Sequence, residues 1–155
     1  MICDSGNRTE FETGAVRDLH GEDKGRCDLM PLDVVAEFFD PKAGKVFHHL
    51  AVFAKYGNWT TLLLALEAFC ELRGWNHAEM ALEASIHYRD GSEKYGPDNW
   101  QKGIPLRSYL DSSCRHLLKY LRGDQDEPHD RAFCWNMLSA CWTCKHKPEL
   151  NEYKW

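Results

Sequence analysis

"NWTTLLLALEAFCELRG", residues 58–74, decides the fold class. Trp59, Leu62, Leu63, Leu66, Phe69 and Cys70 recur at helical spacing and form one wide apolar stripe, the pattern of a helix laid against a core. Gly74 stands where such a helix stops. The flanking segments repeat the pattern. In "MPLDVVAEFFD" (30–40), Pro31 suits a first helical position and Asp33 the first turn, where the dipole favours a carboxylate, with Pro41 and Gly44 as stops. In "VFHHLAVFAKYG" (46–57), Val46, Phe47, Leu50, Phe53 and Ala54 line up before Gly57. "WNHAEMALEASIHYRDG" (75–91) reads as a helix buried through Ala78, Leu82, Ser85 and Ile86.

"IPLRSYLDSSCRHLLKYLRG" (104–123) turns Leu106, Leu110, Leu117 and Leu121 inward and ends at Gly123, and "EPHDRAFCWNMLSACWTCKHK" (127–147) is opened by Pro128 and closed near Pro148. Alternating strand patterns, repeats and low-complexity tracts do not occur. The expectation is an all-α, single-domain bundle of about six helices over 31–148, after an irregular arm (1–30) and before a short tail (149–155).

Composition narrows the function. A chain of 155 residues with 43% apolar content supports one core. The net charge of -5 argues against a partner made of nucleic-acid polymer, because phosphate backbones are held by surplus Lys and Arg. No run is long enough to cross a membrane and no secretory leader opens the chain, so a cytoplasmic protein is expected. The seven cysteines have no framework spacing. "CWTCKH" holds a C-x-x-C (Cys141, Cys144) near His146, yet a structural zinc needs a second ligand pair and a redox pair a preceding strand, and both are missing.

Chemistry-bearing residues concentrate in five places. Glu79, Glu83, His87 and Asp90 share one face of the 75–91 helix, as a metal site would require and as a solvated face also shows. "GDQDEPHDRAF" packs Asp124, Asp126, Glu127, His129 and Asp130 around a helix start, where acids also serve as caps. Behind them Ala132, Asn136 and Ser139 continue a polar or small seam, and a mid-helix Asn is costly unless its amide is satisfied. Arg115 and His116 lie on the 104–123 helix, Lys24 and Arg26 flank Gly25 in the arm, and Lys94, Tyr95, Asn99 and Trp100 crowd the loop "EKYGPDNWQKGIP" (93–105). That loop reads as a rigid wall of a nucleotide pocket, or as a plug in which Tyr95 and Trp100 fill the core.

Together these stretches resemble the family of N-terminal domains of dATP/dGTP diphosphohydrolases of bacteriophages and bacteria. The resemblance is carried by "TGAVRD" (13–18), "KGRCDLMPLDVV" (24–35), "EKYGPDNWQKGIPL" (93–106), "LDSSCRHLLKYLRGDQDEPHDRAFCWNML" (110–138) and "KHKPEL" (145–150). It implies hydrolysis of a purine deoxynucleoside triphosphate, dGTP or dATP, to the monophosphate and pyrophosphate, in some phages upstream of a modified DNA purine. It also suggests kinship with all-α MazG-like pyrophosphohydrolases, whose pattern is E-E-x-x-E followed by E-x-x-D. Glu127 and Asp130 supply the second half, and the looser Glu79, Glu83 and Asp90 set replaces the first.

On that resemblance, Glu83, Asp90, Asp126, Glu127 and Asp130 would hold Mg²⁺ or Mn²⁺, and His116, His129 and Glu127 would act on the attacking water. Lys24, Arg26, Lys94 and Arg115 would take phosphate oxygens. Tyr95, Asn99, Trp100 and Asn136 would contact base or ribose, and a homo-oligomer is expected. The incomplete acidic pattern leaves an alternative, a phage sponge that binds a nucleotide second messenger without turnover. An HD-type phosphohydrolase built on His116 and the His129-Asp130 pair ranks last, because no aspartate follows Asp130.

Overall fold

The computed structural model describes residues 7–18 and 23–153. Among them six α-helices carry the fold: α1 (Leu32–Glu37), α2 (Pro41–Tyr56), α3 (Trp59–Arg73), α4 (His77–Tyr95), α5 (Leu106–Arg122) and α6 (His129–His146). The fold is all-α, as the stripes predict. Along α6, Ala132, Phe133, Asn136, Met137, Ser139, Ala140 and Cys141 are all buried, and a helix covered on more than one side needs several neighbours. It packs against α3, α4 and α5, while α2 lies on α3 and α1 on α2.

The centre of the core is aromatic and aliphatic. Phe69 of α3 meets Phe133 of α6 with ring centroids 4.5 Å apart and Tyr120 of α5 at 5.4 Å. Leu62, Leu110, Leu117 and Met137 are buried in the same cluster, each stabilising the fold by about 1.5–3 kcal/mol of burial. No helix among the described residues is long and apolar enough to cross a membrane. Cys141 and Cys144 are both buried within α6, and burial pushes the Cys141 thiol up to about 12, which disfavours the thiolate that zinc or redox chemistry needs.

Helix ends explain where the sequence misleads. Pro41, expected to stop a helix, instead opens α2 behind Asp40, whose carboxylate accepts from the Lys42 and Ala43 amides at 3.1 and 3.0 Å. Its fixed φ suits a first helical position. Gly44 lies inside α2, where a Cβ would stand 2.6 Å from the Ala36 carbonyl oxygen. That missing side chain is what lets α1 rest on α2.

α4 is phased differently from its apolar pattern. Met80 and Ala84 are buried, whereas Leu82 is 69% exposed. The side facing α6 is polar: the Tyr88 hydroxyl meets Ser139 Oγ at 2.6 Å, and Glu83 accepts from Arg131 Nε at 2.5 Å. Polar groups that find partners across an interface replace the apolar ones the stripe rule assumes. Asn76 and Glu79 form a reciprocal capping box at its start, and the helix runs past Gly91 to Tyr95.

The arm expected to be irregular contains a hairpin. β1 (Arg8–Glu10) pairs antiparallel with β2 (Val16–Asp18) in the register Arg8 to Asp18, Thr9 to Arg17 and Glu10 to Val16. Strands of this length leave no readable alternation. A 3-10 turn at Cys27–Leu29 then leans on α5. The readings of residues 1–6, 19–22 and 154–155, Cys3 among them, fall outside the described residues.

Candidate active site

A cavity of about 780 Å³ opens between the hairpin, the arm, α4, α5 and the start of α6. One face of α5 supplies its longest wall: Ser108, Asp111, Ser112, Arg115, His116 and Lys119 all line it. They recur at three- and four-residue intervals along the helix, so the polar side of α5 faces the cavity as its leucines face the core.

Arg17 of β2 reaches across this space. Its Nη1 donates to Ser108 Oγ at 3.2 Å, and its Nη2 donates to Ser112 Oγ at 3.0 Å and Asn136 Oδ1 at 3.1 Å. The guanidinium lies 5.6 Å from the Tyr109 ring centroid and 5.7 Å from that of Trp135. All of these partners are neutral, and among the described residues no carboxylate pairs with Arg17. Burial pulls its proton affinity down from the ordinary arginine value of 12.5, but an arginine keeps its charge at any working pH. The result is a part-buried cation lining a nucleotide-sized cavity, hydrogen-bonded to neutral groups and, among the described residues, compensated only at longer range by Asp111.

The second feature sits where α5 meets the turn before α6. His116 Nδ1 and His129 Nδ1 are 2.9 Å apart, and Glu127 Oε1 lies 3.4 Å from the first and 3.7 Å from the second. His129 is 2% exposed and its Nε2 meets Asp126 Oδ1 at 2.7 Å. Burial, reinforced by His129 and His87, holds the His116 imidazole well below its ordinary value, so it is neutral. Burial pulls His87, on the α4 wall, down to about 4, and among the described residues its Nδ1 has no hydrogen-bond partner.

Expected phosphate ligands are present but occupied. Arg26 grips Asp28 through two bonds of 2.8 Å, and burial of Asp28 is outweighed by Arg26 and Arg107, which hold its carboxyl below the usual range. Arg115 donates to Asp111 at 2.7 Å and to the Gly25 carbonyl at 2.6 Å, while Asp111 accepts from the Cys27 amide at 2.7 Å. Together these contacts moor the arm to α5. Lys24 lines the cavity; Lys94 does not, and pairs with Asp18 at 2.9 Å.

The 93–105 loop divides. Asn99 lines the cavity, but its Oδ1 accepts from Val16 N at 2.7 Å and its Nδ2 donates to Val16 O at 2.8 Å, so the amide acts as a surrogate strand for β2. Tyr95 lines the cavity too; its hydroxyl donates to Asp18 at 2.9 Å, and the Arg8 guanidinium lies 4.9 Å from its ring centroid. Trp100 is a plug, edge-on to Tyr88 at 5.5 Å and Trp142 at 5.0 Å, outside the cavity lining. Gly103 closes the loop at φ 111, where a Cβ would meet Leu150 Cδ1 at 2.5 Å.

The five expected carboxylates do not gather. Glu83 is held by Arg131, Asp90 by Arg89 at 3.0 Å and Asp130 by Arg73 at 2.9 Å. Each meets an arginine on its own or a neighbouring helix before it could reach the others. Asp126 and Glu127 remain at the cavity, where His116, expected with them, joins them and His129 stands behind. Asn136 is also present, satisfied by Arg17 and by donating to the Ala132 carbonyl at 2.7 Å.

Sequence reasoning missed Arg17, Ser108, Ser112 and Trp135. For Arg17 a signal existed: a charged residue following the apolar pair Ala15 and Val16, in a stretch quoted for the family resemblance.

No curated protein and no solved structure matches the chain. A family model does, over residues 70–153, which takes in α4, α5, α6 and the carboxylate-histidine cluster. By that match over more than half of its length, this chain belongs to the family described as dATP/dGTP diphosphohydrolase, N-terminal.

Proposed function

We propose that the protein hydrolyses a purine deoxynucleoside triphosphate, dGTP or dATP, to the monophosphate and pyrophosphate in the Arg17 cavity. The observation that carries this is the charge layout: among the described residues, one cavity is lined by a part-buried guanidinium with no carboxylate bonded to it, Arg17, and by a carboxylate that no Lys or Arg neutralises, Glu127. A polyphosphate needs the first and hydrolysis the second.

In this reading Arg17 binds phosphate oxygens in a low-dielectric site, where its hydrogen bonds to a charged ligand are strong. Lys24 and the exposed edge of Arg26 receive the rest of the chain of phosphates. His116, neutral through burial, positions the water that attacks the α-phosphorus, and Asp126 fixes the orientation of His129 behind it. Trp135 offers the aromatic surface first expected from Trp100; a base stacked on such a ring gains about 1–3 kcal/mol. Mg²⁺ or Mn²⁺, held by Glu127 and Asp126 together with the phosphates, would supply charge neutralisation and an acidified water. Two carboxylates suffice for that, since magnesium is commonly held by one or two plus substrate oxygens.

The test is incubation with dGTP or dATP and either ion, followed by chromatography for monophosphate and pyrophosphate. Glu127→Gln is expected to abolish release while circular dichroism stays unchanged; an unaffected rate places the chemistry elsewhere. A second reading, a nucleotide sponge, is favoured by the arginine pairing of Glu83, Asp90 and Asp130, which takes away three of the five expected metal carboxylates. Stoichiometric binding without product would select it.

A further inference from the structure

We propose that the chain itself, without nucleotide, holds one borderline divalent ion of the Mn²⁺, Co²⁺ or Zn²⁺ class on His116 Nδ1, His129 Nδ1 and Glu127 Oε1. This deepens the hydrolase reading, which needs a metal but assigns only carboxylates to it.

The geometry is that of a ligand set. The three atoms form a triangle with edges of 2.9, 3.4 and 3.7 Å. A point about 2 Å from all three exists, matching ordinary metal-imidazole and metal-carboxylate bonds. Neighbouring ligands around a first-row ion lie roughly 3 Å apart, as these do. Two imidazoles and one carboxylate on one side of a vacant position is a recurring arrangement for borderline ions and a poor one for Mg²⁺, which wants oxygen throughout.

The surrounding bonds prepare it. Asp126 can only accept, so the contact of 2.7 Å with His129 Nε2 puts a proton on that nitrogen and leaves the Nδ1 lone pair directed at His116. A carboxylate behind a histidine in this way is what orients metal-bound imidazoles. Ligation requires both Nδ1 lone pairs, so His116 takes the tautomer with its proton on Nε2. Among the described residues Glu127, alone of the five expected metal carboxylates, has only the two histidines as charge partners. The other grouping within reach, Asp124 with Asp126 and His129, is spoiled because Arg122 holds Asp124 through two bonds, of 2.7 and 2.5 Å.

The test loads chelator-stripped full-length protein with Co²⁺ in the absence of nucleotide. Absorption spectroscopy and elemental analysis are expected to show one ion per chain, visible d–d bands and no thiolate-to-cobalt charge transfer, with millimolar Mg²⁺ failing to displace it. His116→Gln and Glu127→Gln should each weaken binding at least tenfold, and Asp126→Asn about 10–100-fold. Glu127 lies in the turn before α6, so its variant reports even if a buried histidine variant unfolds. Failure to take up Co²⁺, a thiolate band, or uptake unchanged by Glu127→Gln would overturn the proposal. Pyrophosphate release in Mg²⁺ alone, from protein that takes up no Co²⁺, removes this site and leaves the hydrolase. Co²⁺ uptake without any release does the reverse.

Discussion

Arg17 carries its charge at a cost to the fold, since a guanidinium bonded only to neutral oxygens has given up water without gaining an opposite charge. Arg17→Met keeps the length of the side chain and removes that charge. It is expected to leave the melting temperature unchanged or raised, and to weaken binding of a non-hydrolysable dGTP analogue at least tenfold, as the loss of one charged hydrogen-bond pair would. Calorimetric titration beside a thermal melt checks both. His87 makes a second residue-level prediction. Its folded value near 4 lies below the ordinary 6.5, chiefly through burial and then through Arg17. The unfolded chain therefore takes up a proton that the folded chain refuses as pH falls below 6.5. That contribution to stability is complete above pH 6.5 and is lost progressively towards pH 4, by about 2 kcal/mol at pH 5. Urea unfolding at pH 7.5 and 5 should show a smaller loss in His87→Gln than in the parent.

At the scale of elements, the α1–α2 contact depends on a missing methyl group. Gly44→Ala drives a Cβ into the Ala36 carbonyl, and the backbone cannot yield as a flexible side chain would. A loss of about 1–3 kcal/mol is expected despite the better helix propensity of alanine, read from the urea midpoint. The hairpin depends on Asn99 in a different way. Asn99→Ala strips both bonds from Val16 and frees β2 from its surrogate strand, so nucleotide affinity should fall with helical content intact. An Asn99→Ala protein that binds the analogue as well as the parent would show that the strand holds Arg17 in place unaided. These elements also show what sequence could and could not disclose. α3 and α5 are legible because most of their apolar positions are inward ones; Leu63, expected in the α3 stripe, is the correction, at 41% exposure. α4 is misread because Glu83 and Tyr88 are inward and satisfied by α6, a fact held in the partners rather than in the pattern. The hairpin is illegible because each strand is only three residues long.

Across the whole molecule, legibility follows chain distance. Glu127, His116 and His129 were readable as a group because two of them share a turn and the third sits on the preceding helix. The wider carboxylate set was not, since whether Glu83 meets a metal or Arg131 depends on which helix faces which. The same holds for Trp100, whose role as a plug is set by Tyr88 and Trp142. Position relative to the family match adds a further point. Arg17 precedes the matched segment, whereas Ser108, Ser112 and Asn136, which hold it, lie within it. In the function proposed above, the guanidinium that takes the anion and the corner that cleaves its bond thus come from separate stretches of the chain, joined through Ser108, Ser112 and Asn136. On the proposed reading, a change confined to the leading stretch alters the grip on phosphate while the corner around His116 and Glu127 stays untouched.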